Sequence, residues 1–132
     1  MTFRVHFDMC KGELPDGDAV REFFDQRREA FAPHGGRANA YWFAPVGADD
    51  VLRLDIDYDN GRAALRWLPD GTHAEEFDQV GPIVVMESSD YDVVTIPAEL
   101  ARVSADTAHG AVTEYITTGA KPASVEWAPD NA

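Results

Sequence analysis

Phe3, Val5 and Phe7 alternate with Arg4 and His6, the period of a strand with one buried face, and they predict a strand over residues 2–9. Residues 12–17 are rich in turn formers. Asp18 then stands where its carboxylate can accept the first free amides of a helix, along which Val20, Phe23, Phe24 and Phe31 recur at helical spacing. That helix should end before Pro33 and the Gly35-Gly36 pair, with Arg21, Glu22, Asp25, Arg28 and Glu29 as a solvated face of mixed sign. Tyr41, Trp42 and Phe43 mark a second strand over 39–44, with residue types suited to burial.

The clearest local signal follows. Leu52, Leu54, Ile56 and Tyr58 alternate with Arg53, Asp55 and Asp57, and Asn60-Gly61 is a favoured pair for a type I′ turn. A two-residue loop would set Asp59 against Arg62, Tyr58 against Ala63, Ile56 against Leu65 and Leu54 against Trp67. On the opposite face Asp55 would meet Arg66 as an exposed pair worth at most about 1 kcal/mol. After the turn Pro69-Asp70-Gly71-Thr72, a short strand is expected over 73–77. The unbroken apolar run at 83–86 reads as a central strand covered on both faces, and Val93 to Ile96 as another strand, ended or confined to a sheet edge by Pro97. The chain at 100–103 reads as extended. Ser104 is placed to cap a second helix whose inner face is Ala108, Ala111, Val112, Tyr115 and Ile116, with Gly119 as its C-cap. A last strand over 124–127 points Val125 and Trp127 one way. Together these elements predict an α+β fold as one domain, residues 1–132, with a mostly antiparallel twisted sheet of about six to seven strands and two main helices packed on it.

Composition adds limits. A chain of 132 residues buries roughly two-thirds of its unfolded surface, enough for a hydrophobic core without staples. Cys10 is the only cysteine, which excludes an intramolecular disulfide and makes a reducing cytoplasm the expected compartment. The opening residues lack a secretory pattern and no apolar run reaches membrane-spanning length. A net charge of −13 disfavours nucleic acid and anionic membranes and favours basic surfaces. The acids are unevenly spread: residues 67–101 hold eight of them (Asp70, Glu75, Glu76, Asp78, Glu87, Asp90, Asp92 and Glu99) and no Lys or Arg.

Candidate chemistry is fragmentary. Asp55-Ile-Asp-Tyr-Asp59-Asn60-Gly61 resembles the opening of a calcium loop, but its Gly falls one place late and the twelfth position is Arg66, where a bidentate Glu is needed. His73-Ala-Glu75 matches half of a zinc-deaminase signature whose second half needs two further cysteines that the chain lacks, leaving an exposed strand or loop as the expectation. No nucleophile elbow or phosphate-cradling loop is present. Ser88, Ser89 and Asp90 have no placed histidine, since His109 is expected on the polar side of its helix. Cys10 beside Lys11 reads as a small, semi-buried residue. The expectation is a protein that is not an enzyme and takes no metal and no cofactor.

The C-terminal half carries a resemblance. Leu65-Arg-Trp67-Leu68, Ile83-Val-Val-Met-Glu-Ser88, Pro97-Ala-Glu-Leu100, the Ala-rich helix to Tyr115 and Gly119-Ala-Lys-Pro122-Ala-Ser-Val125-Glu-Trp127 resemble the bacterial immunity proteins of the Imm1 family, in which the closing helix is followed by Gly-x-x-Pro-x-x-Val-x-Trp. Residues 1–47 add a compatible strand, helix and strand. The resemblance implies an antitoxin of a polymorphic toxin system whose partner is a cognate toxin domain, often a nucleic-acid deaminase with a basic groove. Charge complementarity then makes Glu75, Glu76, Asp78, Glu87, Asp90, Tyr91 and Asp92 the candidate partner-binding residues, with Tyr91 as an aromatic anchor. Two other readings remain open: an accessory adaptor for another basic protein, and a ligand-binding or enzymatic domain with a pocket lined by Tyr41, Trp42 and Trp67.

Overall fold

The computed structural model describes residues 2–7, 10–28, 38–87 and 93–130. In chain order the elements are β1 (Phe3–Phe7), β2 (Cys10–Leu14), α1 (Gly17–Arg28), β3 (Ala38–Pro45), β4 (Leu52–Asp57), β5 (Arg62–Trp67), β6 (Thr72–Glu75), β7 (Ile83–Met86), β8 (Val93–Ile96), β9 (Val103–Ser104), α2 (Ala105–Thr118) and β10 (Glu126–Pro129). Seven strands run in the order β10-β6-β5-β4-β3-β1-β2. β7 joins β3 through one parallel bridge, Asn39 to Met86, and carries β8 as an antiparallel partner; β9 pairs with β5. The molecule is thus an α+β domain with two helices and an open, mostly antiparallel sheet of ten strands among the described residues, more than the six to seven expected.

One strand that the sequence does not predict lies near the N-terminus. Cys10–Leu14 forms a strand where turn-rich chain is expected, and it pairs with β1 from Phe3↔Leu14 to Phe7↔Cys10. Gly12 lies opposite Val5 in that ladder, where a Cβ would make ordinary contact with the Val5 side chain at 3.4 Å. The cap of α1 is Asp16, whose Oδ1 accepts the Ala19 amide at 2.9 Å, while Asp18 lies in the first turn and pairs with Arg21. Phe31 and the expected helix stop at Pro33 fall outside the described residues.

Alternation along the strands sorts side chains between two cores. One face of the sheet meets both helices: Phe3, Val5, Tyr41, Phe43, Leu52, Leu54, Ile56, Ala63 and Leu65 close on Val20 and Phe24 of α1 and on Ala108, Ala111, Val112, Tyr115 and Ile116 of α2. The expected face of α2 is the buried one, and of the expected α1 face Val20 and Phe24 are buried and Phe23 is partly buried. Ser104 Oγ caps α2 by accepting the Thr107 amide at 3.1 Å, and Gly119 ends it at φ 76°. Val125 and Trp127 pack on this same core.

The other face is covered in its middle by the β7–β8 hairpin, where Ile83, Val85 and Ile96 meet Ala38, Ala40 and Ala64. β7 is therefore a lid strand and not a doubly covered central one, and Val84 is exposed. The small alanines let the lid lie close to the sheet. β8 pairs only with β7 among the described residues and ends before Pro97.

The β4–β5 hairpin is present in a shifted register. Its loop spans Tyr58 to Gly61, with Asp57 opposite Arg62, Ile56 opposite Ala63, Leu54 opposite Leu65 and Leu52 opposite Trp67. Asp57 Oδ1 accepts the amides of Asp59 and Asn60 at 3.1 and 3.3 Å, and Gly61 takes φ 66°. This side-chain turn holds the loop two residues longer than the expected one. A slip of two preserves parity, so every side chain stays on its expected face. Exposure does change: Asp55, expected as half of a surface pair, has no accessible surface, because the lid covers the face it points to.

Candidate partner-binding surface

On the helix-free face, at the β6–β10 edge, carboxylates converge on a single guanidinium. Glu75 is the last residue of β6 and lies directly opposite Glu126 of β10. Like charges facing each other across a ladder destabilise it. Arg102 relieves part of this, donating from Nη1 to Glu75 Oε1 at 2.7 Å. Its Nε donates to the Phe77 carbonyl at 2.9 Å, and its own carbonyl accepts the amides of Glu76 and Phe77 at 2.9 and 3.3 Å. The chain after β6 is therefore pinned to the segment leading into β9. Glu75, Glu76, Phe77, Asp78, Arg102 and Glu126 line a cleft of about 460 Å³. Four acids and one arginine line it, and of the four only Glu75 and Asp78 come within 4 Å of the guanidinium.

The seven expected contact residues separate into distinct environments. Asp78 is fully exposed, with Arg102 Nη2 3.9 Å away. Glu75 is partly occupied by Arg102. Glu76 is committed to the fold: Oε1 accepts the Ser104 amide and Oε2 the Thr107 hydroxyl, both at 2.7 Å, so it sits at the N-terminus of α2. Burial works to raise its pKa, and the hydrogen bonds from Thr107 and Ser104 outweigh it, holding the carboxyl below its ordinary 4.5. Glu76→Gln should therefore lower stability by about 1 kcal/mol or less at neutral pH, given its exposure. The folded-state pKa is depressed, so the wild-type advantage should be full above pH 4.5 and fade as pH falls below it, which urea unfolding across pH 3–7 would measure. Glu87 lies apart from the cleft, its Oε2 2.9 Å from Arg53 Nη2. Asp90, Tyr91 and Asp92 lie outside the described residues.

Other sequence candidates are also placed. His73 is 4 % exposed, contrary to an exposed loop: Nδ1 lies 3.0 Å from Asp130 Oδ1 and Nε2 3.5 Å from Glu75 Oε1, so it ties β6 to the end of β10 behind the cleft. His109 is not on a solvated side of α2, because its ring stacks on Phe24 with centroids 4.2 Å apart and its Nε2 lies 2.8 Å from the Tyr58 hydroxyl. Ser88, Ser89 and Asp90 are outside the described residues. The calcium-like aspartates diverge, Asp55 toward two arginines and Asp57 into its own turn. Among the described residues no group of three or more His, Cys, Asp or Glu is arranged to hold a metal ion. Cys10 is exposed, not semi-buried. Tyr41, Trp42 and Trp67 do not line one pocket, since Tyr41 lies in the helix-side core, Trp42 packs against the opposite core and Trp67 packs on Tyr115 and Trp127.

Arg102, Phe77 and Glu126 are the cleft residues that sequence reading misses. Glu126 reaches Glu75 only through the β6–β10 pairing, about fifty residues apart in the chain, and no local pattern announces such a contact. Among the described residues no helix is long and apolar enough to cross a membrane. No protein-family model matches the chain, and no curated protein matches it.

Proposed function

We propose that this protein is an immunity protein, an antitoxin that acts in the cytoplasm by binding a cognate toxin, a nucleic-acid-targeting enzyme such as a deaminase, and occluding its basic groove. The observation that carries the reading is the Glu75–Glu126 opposition beside a fully exposed Asp78 in an open cleft. An acidic edge that Arg102 compensates only in part carries a cost in the free protein, and a partner's Lys or Arg side chains would lower it. Phe77 lines the same cleft, and Val80, 71 % exposed, follows in the same loop, supplying the apolar contact that charge alone lacks. In this reading Asp78, Glu126 and Glu75 meet the toxin, while Glu76 and Glu87 support the fold beside them.

Co-expression with the product of the neighbouring gene tests the proposal. A stable complex and loss of that product's toxicity are expected; absence of both would end the reading. Within such a complex, Asp78→Lys with Glu126→Lys should slow association at least about tenfold at low salt, with the gap closing as ionic strength rises. Stopped-flow association at two salt concentrations measures this, and unchanged rates would move the interface off the cleft.

A further inference from the structure

The opposite end of the same sheet face has the reverse chemistry. In a chain of net charge −13, the β1–β2 ladder places Lys11 directly across from His6, and Arg4 across from Glu13, with all four on the helix-free face. They line a depression of about 490 Å³ together with Gly12 and the turn at 46–48. Four strand spacings, about 19 Å, separate β1 from β6, so this pocket and the acidic cleft are different sites.

Arg4 is preset as a wall of the pocket. Its Nη2 donates to the Ala48 carbonyl at 2.9 Å and its Nη1 lies 2.7 Å from Asp50 Oδ1. That Nη1 is buried against Asp50, so the guanidinium is fixed in place and partly neutralised by the carboxylate. Lys11 is exposed and makes no ion pair among the described residues. Arg4 is thus balanced by Asp50, with Glu13 across the ladder, whereas Lys11 and the His6 imidazole, directly opposite each other, make no ion pair among the described residues. The charged groups facing His6 are Arg4 on its own strand, Lys11 and Glu13 on β2, and Asp50 beyond β3. Burial, then the Arg4 charge, with Lys11 adding to it and Asp50 opposing, keeps the His6 pKa below its ordinary 6.5.

We propose that Arg4, His6 and Lys11 form a binding site for the phosphate group of a small ligand, whose apolar part rests on Val46 and Ala48. The anion would take hydrogen bonds from the Lys11 ammonium and from the imidazole, which gains a proton as the anion binds, with the Arg4 guanidinium as a fixed positive wall beside them. Phosphate and protonated His6 then stabilise each other, so binding and His6 protonation are linked. This site does not depend on the antitoxin reading.

NMR titration of the whole protein tests it, following the His6 ring protons against pH in sodium chloride, in inorganic phosphate and in phenyl phosphate at matched ionic strength. The His6 pKa should be higher in both phosphates than in chloride, and phenyl phosphate should bind several-fold more tightly than inorganic phosphate through contact with Val46 and Ala48. Lys11→Gln, at an exposed position that leaves the fold intact, should weaken binding about tenfold and remove the phosphate-dependent rise. Equal His6 titration in chloride and phosphate, or phosphate binding to Lys11→Gln as tight as to wild type, would overturn the proposal.

Discussion

Asp55→Ala should lower the unfolding free energy by about 3–5 kcal/mol, the loss expected when one member of a buried ion network is removed. Asp55 has no accessible surface. Its Oδ1 accepts from Arg53 Nε and Nη2 at 3.2 and 3.0 Å, and its Oδ2 from Arg53 Nε at 3.1 Å and Arg66 Nη2 at 3.0 Å. Burial works against the Arg53 charge, and the hydrogen bonds and charges of Asp55 and Glu87 more than offset it, raising its pKa above the ordinary arginine value. Arg53 also lies over the Trp42 ring, 4.8 Å from its centroid. Without Asp55, the Arg53 and Arg66 guanidiniums lose their shared carboxylate, and among the described residues only the half-exposed Glu87 still pairs with one of them, Arg53.

The mechanism has its own control. If the loss comes from stranded positive charge, then adding Arg53→Met and Arg66→Leu to an Asp55→Leu chain should recover most of it, because apolar side chains of similar volume avoid the desolvation cost. Guanidinium chloride unfolding of the single and triple variants reads both effects. A loss under about 1 kcal/mol for Asp55→Ala would mean that water reaches the network and that the pair behaves as a surface one.

Tyr115→Ala should cost a similar amount, about 3–5 kcal/mol, for a different reason. Tyr115 is 1 % exposed on the inner face of α2. Its ring meets Phe3 edge-on at 5.0 Å and Trp67 at 5.3 Å, so it joins the helix to β1 and to β5. Truncation opens a cavity between elements that other contacts already hold apart, and collapse can fill little of it.

The phenol provides a second readout. Burial pushes its pKa up to about 12, against an opposing influence from the Arg4 charge. The folded chain then holds this proton where the unfolded chain, with its tyrosines near 10, has lost it. The contribution is whole below pH 10 and is lost as pH rises toward 12, a change of about 2–3 kcal/mol. Tyr115→Phe should remove that alkaline step while keeping most of the packing. An identical alkaline slope in Tyr115→Phe would assign the step to another group.

Parts of this molecule could be read from sequence because local physics decides them. Ser104 caps α2 and Gly119 ends it, since both act on the nearest turn of backbone. Which strand residues face the helices was equally legible, because parity along a strand survives even the two-residue slip in the β4–β5 loop. The slip itself depended on the Asp57 side chain gathering two amides, a competition between turn types that composition does not rank. The candidate site was legible only in outline. An acid-rich stretch announced that carboxylates would gather, but Glu76 proved to be spent on a helix terminus and Glu87 on Arg53, while Glu126 entered from the far end of the chain.

The sequence by itself determined the periodicities, the caps and the excess of acid. Only the tertiary structure decided which acids are exposed and where the few bases lie. Burial of Asp55 follows from a lid strand thirty residues away, and the opposition of Glu75 to Glu126 follows from a pairing of distant strands. The reason is physical: backbone conformation and side-chain parity are set by near neighbours, whereas the solvation of a charge depends on everything packed around it.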